Sequence, residues 1–183
     1  KATEFSLATT TQLFEPQAGE WSSEIFENFD LPQDIQPDVY KTGTEIGCLS
    51  KSTRKEVGIK GVPVIATTTH DTASAVSAIP ARGEEWIFIS SGTWSLLGIE
   101  IDEPILETKV MEADFTNEGC HSGKFTLHKN LTGLWILQEC KKKWDERGKD
   151  FNYDQLTQMA RKAKGFHSFI DTEWKTFAQL GNM

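Results

Sequence analysis

A single aspartate, Asp71, stands where a predicted strand meets a predicted helix. The apolar run Val62–Ala66 is typical of a buried strand, and the small residues of Thr72–Ala78 favour a helix. Ligands of open α/β sheets bind at the carboxyl ends of the strands, so this carboxylate is placed to accept a proton from a substrate hydroxyl. A role as helix N-cap explains Asp71 without any chemistry, and the local sequence favours that role. His70 beside it can hydrogen-bond a substrate, although an isolated histidine is more often structural.

The turn Ser90–Thr93 is the second candidate. Gly92 allows the backbone to approach a phosphate, and the Thr93 hydroxyl with nearby N–H groups can bind phosphate oxygens. An ordinary tight turn between two strands would use the same residues. On its own, this turn is therefore a weak signal.

Asn130 and Gln138 are the third candidate, on a helix predicted from about Leu131 to Arg147. Eight residues of helix would place them about 80° apart around the axis and about 12 Å apart along it. One side chain could then face a small substrate and the other a nucleotide. The alternative is that Asn130 is a helix N-cap and Gln138 an ordinary helix residue.

Other polar residues give weaker signals. Cys120, His121 and His128 lack the second close pair of ligands that a structural zinc site needs. Asp114 and Glu118 are interpreted as loop acids without an identifiable partner. Nothing supplies a nucleophile with its base and orienting residue, which disfavours a triad hydrolase.

The elements around these candidates predict a mixed α/β chain. Residues Phe5–Phe14 give a weak extended pattern. Apolar residues then recur at helical spacing, with Ser22 or Ser23 as the N-cap: Trp21, Ile25, Phe26 and Phe29. Trp86–Ile89 and Trp94–Ile99 are predicted to form a hairpin of two strands, and Phe125–Leu127 is predicted as a third strand. A helix is predicted from Tyr153 through Ala163, ending at Gly165, and Pro80–Glu84 is predicted to be a boundary turn.

Composition excludes several classes of protein. With 38% hydrophobic and 25% charged residues, the 183-residue chain is typical of a soluble globular protein. A net charge of −8 argues against non-specific binding to nucleic acid. No apolar run approaches the roughly 20 residues that cross a membrane, and no signal peptide is recognisable. Three widely spaced cysteines favour a reducing cytoplasm. Since the chain opens with Lys1 rather than Met, we expect a fragment.

Taken together, four motifs resemble the rhamnulokinase branch of the FGGY carbohydrate kinases. Each piece alone is weak, but the combination is specific and extends over nearly the whole chain. Thr10–Leu13 and Ser168–Asp171 are similar as well. The four motifs are Thr69–Val76 (THDTASAV), Ser90–Leu96 (SSGTWSL), Thr116–Gly119 (TNEG) and Lys129–Trp135 (KNLTGLW).

This resemblance implies two ribonuclease H-like, actin-type domains with an active site in the cleft between them. Residues 1–80 would end the first domain, and residues 81–183 would begin the second. It also implies ATP- and Mg²⁺-dependent phosphorylation of a ketose, L-rhamnulose, to L-rhamnulose 1-phosphate. By position, the resemblance implies that Asp71 is the general base and that the sugar is contacted by His70, Thr72 and Asn130. It implies that Gly92 and Thr93 contact phosphate and that Gln138 contacts the nucleotide.

The resemblance also implies what lies outside this chain. The first phosphate loop and the adenosine-binding segment of the family are absent, so we expect no useful kinase activity from these 183 residues alone. ATP and Mg²⁺ would need the rest of the enzyme. Three alternatives stay open: a kinase for L-fuculose or another sugar of the same family, a non-catalytic sugar-binding protein of the same fold, and a structural interaction module. The oligomeric state is left open.

Overall fold

Within residues 2–83, 85–172, 174 and 177, which the computed structural model describes, the chain forms seven α-helices, ten short strands and two 3₁₀ turns. The helices are α1 (Phe5–Thr9), α2 (Ser23–Asn28), α3 (Lys51–Val57), α4 (Asp71–Ser77), α5 (Thr108–Glu112), α6 (Trp135–Glu146) and α7 (Tyr153–Lys162). The strands are β1 (Ala2–Glu4), β2 (Phe14–Glu15), β3 (Glu20–Trp21), β4 (Asp38–Tyr40), β5 (Glu45–Cys48), β6 (Pro63–Ile65), β7 (Phe88–Ser91), β8 (Ser95–Ile101), β9 (Phe115–Gly119) and β10 (Phe125–Leu131). The 3₁₀ turns are Gln33–Ile35 and His121–Gly123.

The chain divides into two compact units. The first takes the residues up to Phe88 together with Gly98–Lys129, and the second takes Ile89–Leu97 together with the residues from Asn130 onward. Four strands form a sheet in the order β7, β8, β10, β9, and β9 runs antiparallel to β10 with Glu118 opposite Thr126. The other strands form two-stranded sheets: β1 is parallel to β4, while β2–β3 and β5–β6 are antiparallel.

Aromatic side chains build the core of the first unit. The ring of Phe5 packs edge-on against Phe14 and Phe125, with centroids 6.2 and 5.4 Å away. Gly119 makes room for this ring, because a Cβ there would lie 2.7 Å from Phe5. The N–H of Gly119 also donates to Thr9 Oγ1 at 2.7 Å. Helix α1 is therefore fixed against strand β9, which carries Glu118.

The predicted strand and helix around Asp71 are confirmed as β6 and α4. The expectation of a buried strand is wrong, because Ile65 is 44% exposed and Pro63 is exposed as well. Among the described residues, β6 pairs with β5 in a two-stranded sheet, and such a sheet covers few of its side chains. Helix α4 instead turns Ala73 and Val76 into the core.

Several other local predictions are confirmed. Ser22 caps α2 by accepting from the N–H of Ile25 at 3.4 Å. Strands β7 and β8 are neighbours joined by three residues, as the hairpin prediction requires. Helix α7 begins at a capping box formed by Asn152 and Gln155, and buries Leu156. The predicted boundary turn ends at Glu84, which lies outside the described residues.

Two further predictions need correction. Residues Phe5–Thr9 are helical, not extended. Helix α6 begins at Trp135 rather than near Leu131, because β10 continues to Leu131 and Gly133, at φ +60°, turns the chain between strand and helix. Strand β9 and helices α3 and α5 were not predicted. No helix within the described residues combines the length and apolar character that a membrane crossing requires.

Candidate active site

Asp71 is the first residue of α4, and its side chain is 96% exposed. Its Oδ1 accepts from the N–H of Thr72 at 2.7 Å and lies 3.5 Å from His70 Nε2. The N-cap position belongs to His70, so the N-cap interpretation of Asp71 is wrong by one residue. In the first turn, a negative charge is favoured by the helix dipole. Both contacts use Oδ1, and the exposed carboxylate stays accessible to a ligand.

The backbone before Asp71 is held by Glu4, a buried carboxylate at the end of β1. Glu4 Oε2 accepts from the N–H and the hydroxyl of Thr69, at 3.1 and 3.2 Å, and Oε1 accepts from the Thr42 hydroxyl at 2.7 Å. Ser6 donates its hydroxyl to Glu4, and its Oγ lies 3.2 Å from the N–H of both Thr69 and His70. The Thr69–His70 segment is thus tied to another part of the first unit.

The ring of His70 meets a second carboxylate, Glu118 on β9. His70 Nδ1 lies 3.2 Å from Glu118 Oε2, and His128 Nε2 lies 3.4 Å from Glu118 Oε1. His128 is fully buried, and its Nδ1 lies 3.1 Å from the Thr126 hydroxyl. Both of these imidazole nitrogens are buried, and neither has a hydrogen-bond partner of good geometry. One carboxylate therefore lies between two histidines at ion-pair distance.

The pKa of Glu118 reflects these neighbours. Burial raises it most, but the contact with His128 and the positive charges of His128 and His70 together bring the pKa below its ordinary value. The interpretation of Glu118 as a loop acid without a partner is wrong, since it lies on a strand between two histidines. Its partners escaped sequence reasoning because His70 comes from a distant segment and His128 comes alongside only when β9 pairs with β10.

The turn at Gly92 and Thr93 lies in the second unit, beside the start of α6. The N–H groups of Leu134 and Trp135 donate to the carbonyls of Gly92 and Thr93, each at 3.0 Å. These donors have no acceptor inside the helix, so the turn satisfies them. Gln138 Nε2 donates to Thr93 Oγ1 at 3.3 Å. The structure thus brings together Thr93 and Gln138, two of the residues that the resemblance places at the phosphates and the nucleotide.

Asn130 does not have the predicted geometry. It is an exposed residue of strand β10, so it neither caps a helix nor shares one with Gln138. The predicted angle and spacing between the two residues are therefore wrong. The cause is the strand, which continues through a segment that sequence reasoning assigned to the helix.

Within the described part of the chain, one group of side chains has the geometry to hold a metal ion. Ligand atoms of Glu100, Cys120 and His121 lie within 4.8 Å of one another. The Glu100 carboxylate already meets the Lys124 ammonium and His121 Nε2, each at 2.8 Å. Burial raises the pKa of the Cys120 thiol, which disfavours the thiolate that binds metals. We therefore assign no metal to this group.

Comparison with known families accounts for both parts of the chain. A model described as the FGGY family of carbohydrate kinases, N-terminal domain, matches residues 1–77. The model of the C-terminal domain of the same family matches residues 87–183. The chain belongs to the FGGY family of carbohydrate kinases. The predicted family membership is confirmed.

Curated relatives of this FGGY chain are named rhamnulokinase. The Bacteroides thetaiotaomicron protein is 34% identical over 99% of this chain and 36% of its own length. The Halalkalibacterium halodurans protein is 37% identical over all of this chain and 38% of its own length. The chain thus spans about a third of the length of these relatives.

Solved structures show the fold. A ligand-bound xylulose kinase from Lactobacillus acidophilus superposes with a TM-score of 0.69 at 15% identity, over 89% of this chain and 32% of its own. A gluconate kinase from the same organism gives 0.68 over the same shares, also at 15% identity. The predicted α/β fold of the ribonuclease H-like, actin-like ATPase type is confirmed, with this chain forming part of it.

Proposed function

We propose that this chain carries the general base of an ATP-dependent kinase that phosphorylates L-rhamnulose to L-rhamnulose 1-phosphate. The observation that carries the proposal is the Asp71 carboxylate, exposed at the start of α4 and placed beside His70, whose ring faces Glu118 and whose N–H donates to the Ser6 hydroxyl. Similarity to the rhamnulokinases supports the choice of sugar. The exposed position suits a group that must reach a substrate hydroxyl.

In the proposed reaction, Asp71 orients the terminal hydroxyl of the ketose and accepts its proton as the new O–P bond forms. The His70 ring, 3.5 Å from the carboxylate, is placed to hydrogen-bond the same sugar. Thr72 is nearly buried, and its N–H holds Asp71 Oδ1, so its assignment as a sugar contact rests on the resemblance. The assignment of Asn130 as a sugar contact has the same basis.

Thr93 is proposed to bind a phosphate oxygen of ATP. Its Oγ1 accepts from Gln138, which leaves the hydroxyl proton free to be donated to a phosphate. Gly92 suits close approach of a ligand, because it adds no side chain to the turn. Gln138 is proposed as the nucleotide contact. Mg²⁺ would neutralise charge on the phosphates, and we assign it no residue of this chain.

The rest of the site is proposed to come from a longer protein, because the relatives are about three times as long as this chain. We further propose that residues 1–80 end the N-terminal domain and residues 81–183 begin the C-terminal domain. The ends of the two family matches support that division. A cytoplasmic location is part of the same proposal.

Binding and turnover by the complete protein that contains this chain test the proposal. Thermal-shift and coupled kinase assays would compare L-rhamnulose, L-fuculose, D-xylulose and glycerol, with and without ATP and Mg²⁺. We expect L-rhamnulose to give the largest shift and the highest kcat/KM. A preference for L-fuculose would show that L-fuculose, and not L-rhamnulose, is the substrate. Sugar binding without turnover would favour a non-catalytic binding protein. No response to any sugar would contradict the proposal.

A further inference from the structure

We propose that Glu118 is a positioning residue: its carboxylate, held by His128, fixes the His70 ring so that Nε2 stays beside Asp71. The inference rests on the proposed function, because Asp71 is the base only under that proposal. Glu118 and His128 are not among the residues that the resemblance assigns to the site.

Each carboxylate oxygen of Glu118 faces one imidazole nitrogen at ion-pair distance. Oε2 faces His70 Nδ1 at 3.2 Å, and Oε1 faces His128 Nε2 at 3.4 Å. The two nitrogens are buried and have no hydrogen-bond partner, and each has a Glu118 oxygen within 3.4 Å. A buried imidazole nitrogen facing a carboxylate is stabilised when it carries the proton. The His70 proton therefore belongs on Nδ1, which leaves Nε2 turned toward Asp71.

The support behind Glu118 is closely packed. His128 is fully buried on β10, and its Cβ lies so near Gly98 that a Cβ added to that glycine would meet it at 2.4 Å. The Thr126 hydroxyl lies 3.1 Å from His128 Nδ1 and 3.4 Å from the Glu118 carbonyl oxygen, so it links the His128 ring to the strand that carries Glu118. On the other side, the N–H of Gly119 anchors β9 to Thr9. The backbone at Glu118 is thus held by its pairing with β10 and by the adjacent contact of Gly119 with Thr9.

This arrangement has a consequence for a bound sugar. With its proton on Nδ1, a neutral His70 offers an acceptor at Nε2, and Asp71 offers another acceptor 3.5 Å away. A sugar hydroxyl placed between them can donate to either group. If Glu118 no longer holds the ring, His70 can protonate at Nε2 and donate to Asp71, which would then be a poorer base.

Imidazole ¹⁵N NMR tests the inference without any kinase assay. In the complete protein at alkaline pH, long-range ¹H–¹⁵N spectra identify the protonated nitrogen of each histidine. We expect His70 protonated at Nδ1 and His128 at Nε2. In Glu118→Gln, the amide NH₂ needs an acceptor, so one of the two rings must change tautomer. A wild-type His70 protonated at Nε2 would overturn the inference.

Kinetics provide the second readout, with Glu107→Gln as the matched control, since Glu107 is an exposed acid paired with Lys109. We expect Glu118→Gln to lower kcat and raise KM for the sugar, each by about tenfold, and to leave KM for ATP unchanged. Equal sugar kinetics in Glu118→Gln and wild type would contradict the inference. If wild type shows no sugar phosphorylation, the proposed function fails, and the NMR result still decides whether Glu118 sets the His70 ring.

Discussion

The surroundings of His70 in the first unit and the turn at Gly92–Thr93 in the second are held in different ways. Glu4 and Ser6 hold the backbone of Thr69 and His70, and the Glu118 carboxylate faces the ring of His70. The turn at Gly92–Thr93 is held mainly through its own carbonyls by the helix that follows β10. A region fixed by buried charges is sensitive to single side-chain changes, whereas a region fixed by its backbone tolerates them.

The largest effect on stability is expected for Glu4→Ala. Removing this buried carboxylate leaves donors of Ser6, Thr42 and Thr69 without their acceptor. We expect a loss of about 4 kcal/mol in the free energy of unfolding, measured by urea denaturation. Glu27→Ala, at an exposed position of α2, is the control and should change stability by less than about 0.5 kcal/mol. Equal losses of stability in the two variants would show that Glu4 does not stabilise the fold more than an exposed glutamate does.

Gly98→Ala should rank second. Its Cβ would lie 2.4 Å from His128 Cβ and 2.7 Å from the Leu127 carbonyl, so backbone or side chain must move. We expect a loss of about 3 kcal/mol, measured by the same denaturation. Gly165→Ala adds a methyl group with nothing within 4 Å and should be neutral. A neutral Gly98→Ala would show that His128 is not tightly enclosed.

Glu118→Gln should have an intermediate effect that depends on pH. The folded-state pKa of Glu118 is lowered, so its contribution is complete above the ordinary pKa of glutamic acid and is lost as the pH falls through the folded value. His70 and His128 oppose its negative charge, and Asp71 adds a like charge. We expect the variant to lose about 1 kcal/mol at neutral pH. The difference in the free energy of unfolding between wild type and variant should become smaller in acid, as urea denaturation at several pH values would show. A difference that grows in acid would contradict a lowered pKa of Glu118.

The smallest stability effect is expected for Thr93→Val. Its hydroxyl makes an exposed contact with Gln138, so we expect a change below about 0.5 kcal/mol. In the complete protein, the same variant should raise KM for ATP about tenfold, because a hydrogen bond to a charged phosphate is lost. Thr157→Val, on the exposed side of α7, should leave both quantities unchanged. An unchanged KM for ATP in Thr93→Val would contradict the proposal that Thr93 binds a phosphate of ATP.

Sequence reasoning reached what local patterns determine. Helix α4, the hairpin around Gly92 and helix α7 follow from spacing, turn residues and caps, which act within a few residues. The beginning of α6 was misplaced, because only tertiary pairing extends β10 to Leu131. Glu4 and Glu118 were not recognised as supports of the site. Their partners become neighbours only after folding, and no local pattern marks a buried carboxylate that bridges distant segments.

The most direct test of the account is Asp71→Asn in the complete protein, with sugar phosphorylation and sugar binding measured on the same preparation. The amide keeps the size of the side chain and can still accept from the N–H of Thr72, but it cannot take a proton from the sugar. We expect kcat to fall by about a hundredfold or more while the Kd for L-rhamnulose changes less than about threefold. Turnover close to that of wild type, with sugar binding intact, would contradict the assignment of Asp71 as the general base.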